Sequence, residues 1–336
     1  MGQQCCNVKN AYVPDQIPIN IYTPDQIDYQ GLQNTKQMLE VVSQGFDDDQ
    51  SNRNIIEDEH LPSDAMKLHE IPKLDNQKAE SIRQQLGSIK LNYDSEYPIY
   101  QPVQIVNYKP NGDIHSIVIY EGQWYKSKRN GAGIQYYPDG SIYEGHWCHN
   151  KHDGFGRIIY ADGEYYIGEW RLGQTHGEGT LVTKELTYIG RWEDDLQNGQ
   201  GYEKKINGTT YEGQFKNGRK HGSGLVKYSD NSQYKGNFVE DRYEGIGEYK
   251  WNDGRTYGGE WKNNLMNGKG EMRYPNGDKY IGHFKNDKKH GLGKFIQMNG
   301  RSIEGEWDEG KLNGEAKITE PNGESFFANF KNDQII

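Results

Sequence analysis

Three histidines, His176, His221 and His290, fall at the same place in a recurring frame, and histidines sharing one slot invite a metal-ligand reading. Neighbouring copies of that place hold Asn130, Asp153, Asn198, Glu244, Asn267 and Asn313, so the place asks for a polar turn residue and no metal is assigned to it. Gly-x-Gly pairs such as Gly222-Ser223-Gly224 have the spacing of a phosphate cradle, yet they recur hairpin after hairpin, with no helix signal behind them and no Lys-Ser/Thr to close a phosphate loop. There is no Gly-x-Ser-x-Gly elbow, and carboxylates such as Asp139 and Asp162 sit in turns. No catalytic residue and no cofactor is expected.

The first residues, "MGQQCCN", carry a different chemistry. Gly2 is the acceptor for N-myristoylation once Met1 is removed, and Cys5 and Cys6 stand where thiol acylation commonly follows. The motif departs from the usual pattern in holding Cys6 where Ser or Thr is common. One myristoyl chain binds a bilayer only marginally and Lys9 is the only cation nearby, so a second chain on a thiol is what makes attachment stable. These residues predict attachment to the cytoplasmic face of a membrane, whether plasma membrane, cortex or ciliary membrane.

Positioning anything in this chain falls to a frame that begins at Tyr120 and recurs at Tyr143, Tyr166, Tyr188, Tyr211, Tyr234, Tyr257, Tyr280, Ile303 and Phe326, in steps of 23 residues with one step of 22. With the leading residue of each copy as slot 1, slots 1, 3 and 5 read aromatic, Gly, aromatic, as in Tyr257/Gly259/Trp261. A period of two is a strand, and the missing side chain at the Gly leaves room for the flanking rings to lie over the backbone. Slots 12, 14, 16 and 18 form a second alternating set, with Gly at slot 12 in all nine copies and at slot 14 in all but one, where Ala316 stands. A polar turn such as Lys216-Asn217-Gly218-Arg219 joins the two strands, and turns such as Pro275-Asn276-Gly277 join one copy to the next. The fold expected is an all-β repeat protein, an elongated single-layer antiparallel sheet of consecutive β-hairpins on the order of 90 Å long at ~4.8 Å per strand. A mostly irregular N-terminal extension with one or two short helices precedes it.

Four segments follow: 1–29, the acylation signal and an extended stretch; 30–96, a flexible tether; 97–119, a degenerate leading repeat that caps the array; and 120–336, the array itself. The tether is rich in Gln, Asn and Asp, and "YVPDQI" from Tyr12 echoes as "YTPDQI" from Tyr22. Helical spacing appears at residues 35–42 and 76–86, the latter placing Ala79, Ile82 and Leu86 on one side. The formal net charge of -10 comes mostly from the first 96 residues, which hold 8 Lys and Arg against 16 Asp and Glu. Such a balance excludes the electrostatic footprint of a nucleic-acid binder. With 33% hydrophobic residues, 42 Gly and a mean hydropathy of -1.04, the chain is better suited to neighbour-on-neighbour burial than to one thick core. No apolar run is long enough for a membrane helix, no signal peptide is apparent, and three cysteines are too few for a disulfide framework.

Tyr-Glu-Gly-x-Trp, then Lys-Asn-Gly-Lys-x-His-Gly-x-Gly, then Pro-Asp-Gly-x-x-Tyr resembles the MORN repeat, from Tyr120 to about Asp333. Ile303 and Phe326 in place of the leading Tyr are mild departures. Some MORN arrays precede a lipid-kinase or methyltransferase domain; this one runs to the last residue, so no enzyme is expected. The resemblance implies a non-catalytic scaffold, since junctophilins bridge membranes and protozoan relatives organise cortical and basal structures. A protein partner, a helix or an extended peptide, is expected on an aromatic face of Tyr120, Trp124, Trp147, Trp170, Trp192, Trp261 and Trp307. An alternative is a phosphoinositide-binding module, with anionic headgroups meeting the hairpin tips Lys126, Lys128 and Arg129, Arg219 and Lys220, and Lys288 and Lys289. Another is a structural part of the ciliary axoneme, as in radial-spoke head proteins. Exposed edge strands at the ends of a ribbon also make a homodimer an expectation.

Overall fold

A computed structural model describes residues 114–336 without a break and, before them, residues 61, 65–67, 76–89, 91, 93–94, 97 and 99–108. The acylation motif, both PDQI segments and the helical spacing at residues 35–42 lie outside the described residues. Two compact units divide the chain, residues 1–184 and 185–336. The first holds β1 (Ala65–Lys67), α1 (Gln77–Leu86), β2 (Ile99–Tyr108), β3 (Ile114–Tyr125), β4 (Lys128–Tyr136), β5 (Ile142–Cys148), β6 (Lys151–Ile159), β7 (Tyr165–Arg171) and β8 (Gln174–Val182). The second holds β9 (Leu186–Glu193), β10 (Leu196–Lys205), β11 (Thr210–Lys216), β12 (Arg219–Lys227), β13 (Gln233–Val239), β14 (Arg242–Lys250) and β15 (Thr256–Lys262). It continues through β16 (Leu265–Arg273), β17 (Lys279–Lys285), β18 (Lys288–Ile296), β19 (Ser302–Asp308), β20 (Lys311–Thr319), β21 (Ser325–Lys331) and β22 (Gln334–Ile335). Within each unit every strand pairs antiparallel with the one before it, from β1 to β8 and from β9 to β22, which is the consecutive-hairpin sheet the repeat predicts.

The register explains the slots. In the sixth copy Tyr234 faces Tyr249 and Gly236 faces Gly247, after which the pairing shifts by a bulge so that Phe238 faces Tyr243. Across the next ladder Gly247 faces Gly259 and Tyr249 faces Tyr257. Glycines therefore line up strand after strand, and the slot-1 ring lies down on them. An added Cβ on Gly247 would stand 2.4 Å from the Tyr234 hydroxyl, and one on Gly236 would stand 2.6 Å from the Gly247 Cα. The hydroxyl, buried with its ring, donates to the slot-4 carbonyl, 3.0 Å from Tyr234 to Asn237 and 3.0 Å from Tyr257 to Glu260. Two copies test this within the chain: where Ile303 replaces the tyrosine, slot 14 carries Ala316, and where Phe326 leads, slot 3 carries Ala328.

Inside the array, where neighbouring copies both lead with tyrosine, the slot-5 ring is wedged edge-on between two tyrosines. Trp261 lies 5.2 Å from Tyr257 and 5.3 Å from Tyr234 at near-perpendicular angles, and its Nε1 donates to Gly247 O at 3.0 Å. The hairpin tips are two-residue turns with both central residues left-handed, as at Asn263 (φ 51°) and Asn264 (φ 67°), the twist that suits a hairpin. Side chains at the tips tie each copy to the one before: Asn264 Oδ1 accepts Tyr243 N at 2.8 Å and Glu244 Oε1 accepts Asn263 N at 2.9 Å.

In sequence, residues 76–86 are a helix within the tether segment, either packed on the ribbon or on a partner or only marginal. In the structure α1 is docked on the face opposite the ring ladder. Ala79 and Leu86 are buried, with Ile82 beside them, against Ile119, Tyr136, Ile142, Ile159, Tyr165 and Ile167. Ile119, Ile142 and Tyr165 each precede a leading tyrosine, a place where later copies carry Thr, Gln, Lys or Ser, and burying a leucine or isoleucine contributes about 1.5–3 kcal/mol each. Gly87 ends the helix with φ 77°.

Two alanine substitutions separate the ring cradle from ordinary strand geometry. Gly247→Ala should lower stability by about 2–3 kcal/mol, because the methyl meets the Tyr234 ring. Gly258→Ala, where nothing lies within 4 Å of the added Cβ, should stay within about 1 kcal/mol of wild type. Thermal denaturation followed by circular dichroism compares them, and equal losses would sink the cradle account.

Candidate functional site

The ring face differs from the sequence expectation in one respect. Tyr120, Trp124, Trp147, Trp170, Trp192, Trp261 and Trp307 do share a face within their units, but each is 0–8% exposed because neighbouring rings cover one another. The exposed ring area expected of a single-layer sheet is corrected accordingly: the tyrosines lie flat on glycine backbone, and the slot-5 rings fill the gaps between them.

What varies on that face is slot 10, a position the alternation of glycines and aromatics gives no reason to single out. It holds Arg129, His152, Thr175, Gln197, Lys220, Tyr243, Met266, Lys289 and Leu312 in successive copies. At Arg129, His152, Lys220, Tyr243 and Lys289 the side chain lies over the slot-1 ring. His152 stacks on Tyr143 at 3.6 Å and 7°, with Trp147 and Trp170 edge-on at 4.6 and 4.9 Å, and its Nε2 is 3.0 Å from the Tyr137 hydroxyl. Tyr243 stacks on Tyr234 at 3.7 Å and 13°. Arg129 lies 4.4 Å over Trp147, and Lys289 lies 4.5 Å over Trp307 and 5.1 Å over Tyr280. Burial holds the Lys289 ammonium below the ordinary lysine range, with Asp333 acting the other way. Burial, and then Arg129, pushes the His152 imidazole down to about 3.

The cations considered for headgroups therefore lead divided lives. Arg129, Lys220 and Lys289 fold inward over rings, while Arg219 pairs with Glu240 at 3.5 Å, Lys220 with Glu203 at 2.8 Å and Lys288 with Glu309 at 2.5 Å. Lys126 lies 5.0 Å from the Tyr125 ring, and Lys128 is exposed. In the second unit the Arg219 and Lys288 tips are six strands apart, roughly 29 Å, so they do not form one cluster. The slot shared by His176, His221 and His290 is a tip-bridging place: Asp153 Oδ2 accepts Leu172 N and Asn313 Oδ1 accepts Asn332 N, each at 3.0 Å. Among the described residues no group of three or more His, Cys, Asp or Glu is placed to hold a metal.

The opposite face carries the one dense ionic cluster described in the first unit. Slots 2 and 15 pair across the ladder, setting Ile134, Glu144, Arg157 and Ile167 in one row. Arg157 is fully buried; its Nε donates to Glu144 Oε2 at 2.5 Å and its guanidinium to Gly87 O at 2.7 Å. Arg83 of α1 completes the cluster, its Nε donating to Glu144 Oε1 at 2.5 Å. The sequence signal for this row was the alternation of slots 2 and 15 with the glycines, visible only once the register is known.

The family model for the MORN repeat matches residues 120–142, 143–165, 166–184, 188–210, 211–233, 234–254, 257–279, 280–300 and 304–325. The chain belongs to the MORN-repeat family. Its nine matched copies coincide with the hairpins described above. Comparison with curated proteins found no match. Among solved structures, the G-box domain of the microcephaly protein CPAP is similar at 11% identity, with a TM-score of 0.32 over 60% of this chain and 100% of that one. The TCP domain of Drosophila melanogaster SAS-4 (dCPAP), in complex with a proline-rich motif of Ana2, follows at 12% identity, with a TM-score of 0.25 over 60% of this chain and 84% of that one. Likeness at these scores carries no argument about what the MORN array binds.

Two outcomes follow from the buried groups. His152 is neutral when folded but protonates in the unfolded chain below about 6.5, so the unfolded state binds the extra proton between that pH and about 3. Its contribution is full above about 6.5 and is lost progressively as pH falls; melting temperature should drop between pH 7 and 5, and His152→Thr should flatten that slope. Glu144→Ala strands the buried Arg157 charge and should cost about 3–5 kcal/mol in chemical denaturation, whereas Glu144→Leu with Arg157→Leu should lose far less.

Proposed function

We propose that this MORN-repeat chain is a non-catalytic scaffold that holds a protein partner on its repeat sheets and attaches to a membrane through an acylated N-terminus, organising membrane–cytoskeleton structures. The observation that carries the scaffold reading is how the recurring residues are used. Tyr, Gly and Trp of each copy are consumed by contacts within the sheet, such as Tyr257 on Gly270 and Trp261 on Gly247 O. The intervening slots are free to differ from copy to copy, as slot 10 does, and a rigid frame presenting a varied surface is the form of a binding platform. Gly2, Cys5 and Cys6 support the membrane part by their chemistry.

Cell fractionation with a clickable myristate analogue tests it. Wild type should take up the label and pellet with membranes; Gly2→Ala should lose both, and Cys5→Ser with Cys6→Ser should keep the label while shifting toward the soluble fraction. Identical fractionation of wild type and Gly2→Ala would refute acyl anchoring while leaving the platform reading to be judged by proximity labelling of partners.

A further inference from the structure

The row of slots 2 and 15 recurs in the second unit without a cover. There Ile281 faces Lys294, Lys294 faces Glu304, Glu304 faces Lys317 and Lys317 faces Phe327, one row across five strands. It stands one residue from the Gly293–Gly305 pair, as the Ile134–Glu144–Arg157–Ile167 row stands one residue from Gly133–Gly145. The two rows have the same plan: apolar ends and an alternating ionic centre. In the first unit α1 lies over that plan. In the second no described residue does, and Leu292 is 72%, Phe327 65% and Ile281 42% exposed. The three line one shallow concavity with Lys294, Glu304 and Lys317, and Glu315 at its side. Exposed apolar residues elsewhere on this face, such as Ile246, stand singly, whereas here three are gathered at one place.

We propose that this row is a second helix seat, which takes an amphipathic helix of a protein partner patterned like α1. The molecule itself shows what fits the plan. α1 presents Ala79, Ile82 and Leu86 at i, i+3 and i+7 to the apolar residues, and beside them an acid and base at i and i+3, Glu80 and Arg83, 3.3 Å apart, of which Arg83 reaches the acid of the row. In the second row Glu304 is held only by Lys294, at 3.5 Å and largely in water, and Lys317 has no ion pair among the described residues. An incoming base has Glu304 and Glu315 to meet, and an incoming acid has Lys317. A helix lying in such a groove gains its affinity from three apolar anchors and its register from the charges. The seat lies on the face opposite the ring ladder, and the inference stands whether or not the N-terminus is acylated.

The test uses the full chain and a fluorescent, hydrocarbon-stapled peptide with the sequence of residues 76–89, the staple placed away from Ala79, Ile82 and Leu86 so that so short a helix is formed in solution. Fluorescence anisotropy should show saturable binding, weakened at least tenfold by Leu292→Glu or Phe327→Ser. Both positions are largely exposed, so the fold is retained. Ile246→Glu, a change at another exposed apolar residue of the same unit, should leave binding as it was. No saturation up to about 1 mM overturns the proposal. So does binding that survives Leu292→Glu, since the peptide is then exchanging with α1 in the first seat, and so does pelleting with phosphatidylcholine vesicles that the same substitution abolishes, which assigns the patch to a membrane.

Discussion

A tyrosine ring laid flat on a pair of facing glycines is the contact on which the rest depends. The ring needs the space two Cβ atoms would take, its hydroxyl needs the slot-4 carbonyl, and its edges then fix where the slot-5 ring can stand. Burial lifts the hydroxyls of Tyr211, Tyr234, Tyr257 and Tyr280 above the ordinary tyrosine range, so they remain donors. Because each ring also touches the next copy, local conformation and long-range packing are set by one interaction. That economy lets a chain with little apolar content form extended sheets.

Most of the fold was legible in the sequence for the same reason. A period of two, glycines at fixed slots and Asn-Gly or Asp-Gly turns are local signals, and they placed every strand from β4 to β21. Side chains whose role depends on the neighbouring copy were not legible. Slot 10 reads as an unremarkable turn exit until the register sets it on the preceding tyrosine, and the polar residue at slot 11 reads as solvated until Asp153 or Asn313 is seen to bridge to the next tip. The helical spacing at 76–86 was visible and the ribbon was one of its open destinations; which patch receives it was not legible, because nothing along the chain says that Ile159 joins Ile119 and Ile142 on one face.

The two faces divide the work of the sheet. The ring face is nearly closed upon itself, and differences among copies appear there at slot 16, which faces the slot-1 tyrosine across the ladder, and in the residue resting on a tyrosine: a cation, an imidazole or a phenol. The other face is where copies differ in character, apolar with a buried Glu144–Arg157 pair under α1 in the first unit, and ionic with scattered exposed apolar residues in the second. A buried ion pair contributes little net stability compared with an apolar pair of the same size, but it punishes any helix that fails to bring its own hydrogen-bond partners. Arg83 and the Gly87 carbonyl meet that requirement.

The tip contacts run only from one copy to the next, from Asn264 to Tyr243, from Asp287 to Met266 and from Asp333 to Leu312. A gene that lost or duplicated one whole copy within the second half would therefore encode a chain whose remaining tips still find a bridging partner of the same kind. The copies beneath α1 have no such freedom, since Ala79, Ile82 and Leu86 pack together with Tyr136 and Ile142 of the first copy, Ile159 and Tyr165 of the second and Ile167 of the third. Recombination can thus lengthen or shorten one part of this molecule, while the helix holds the other to a fixed count.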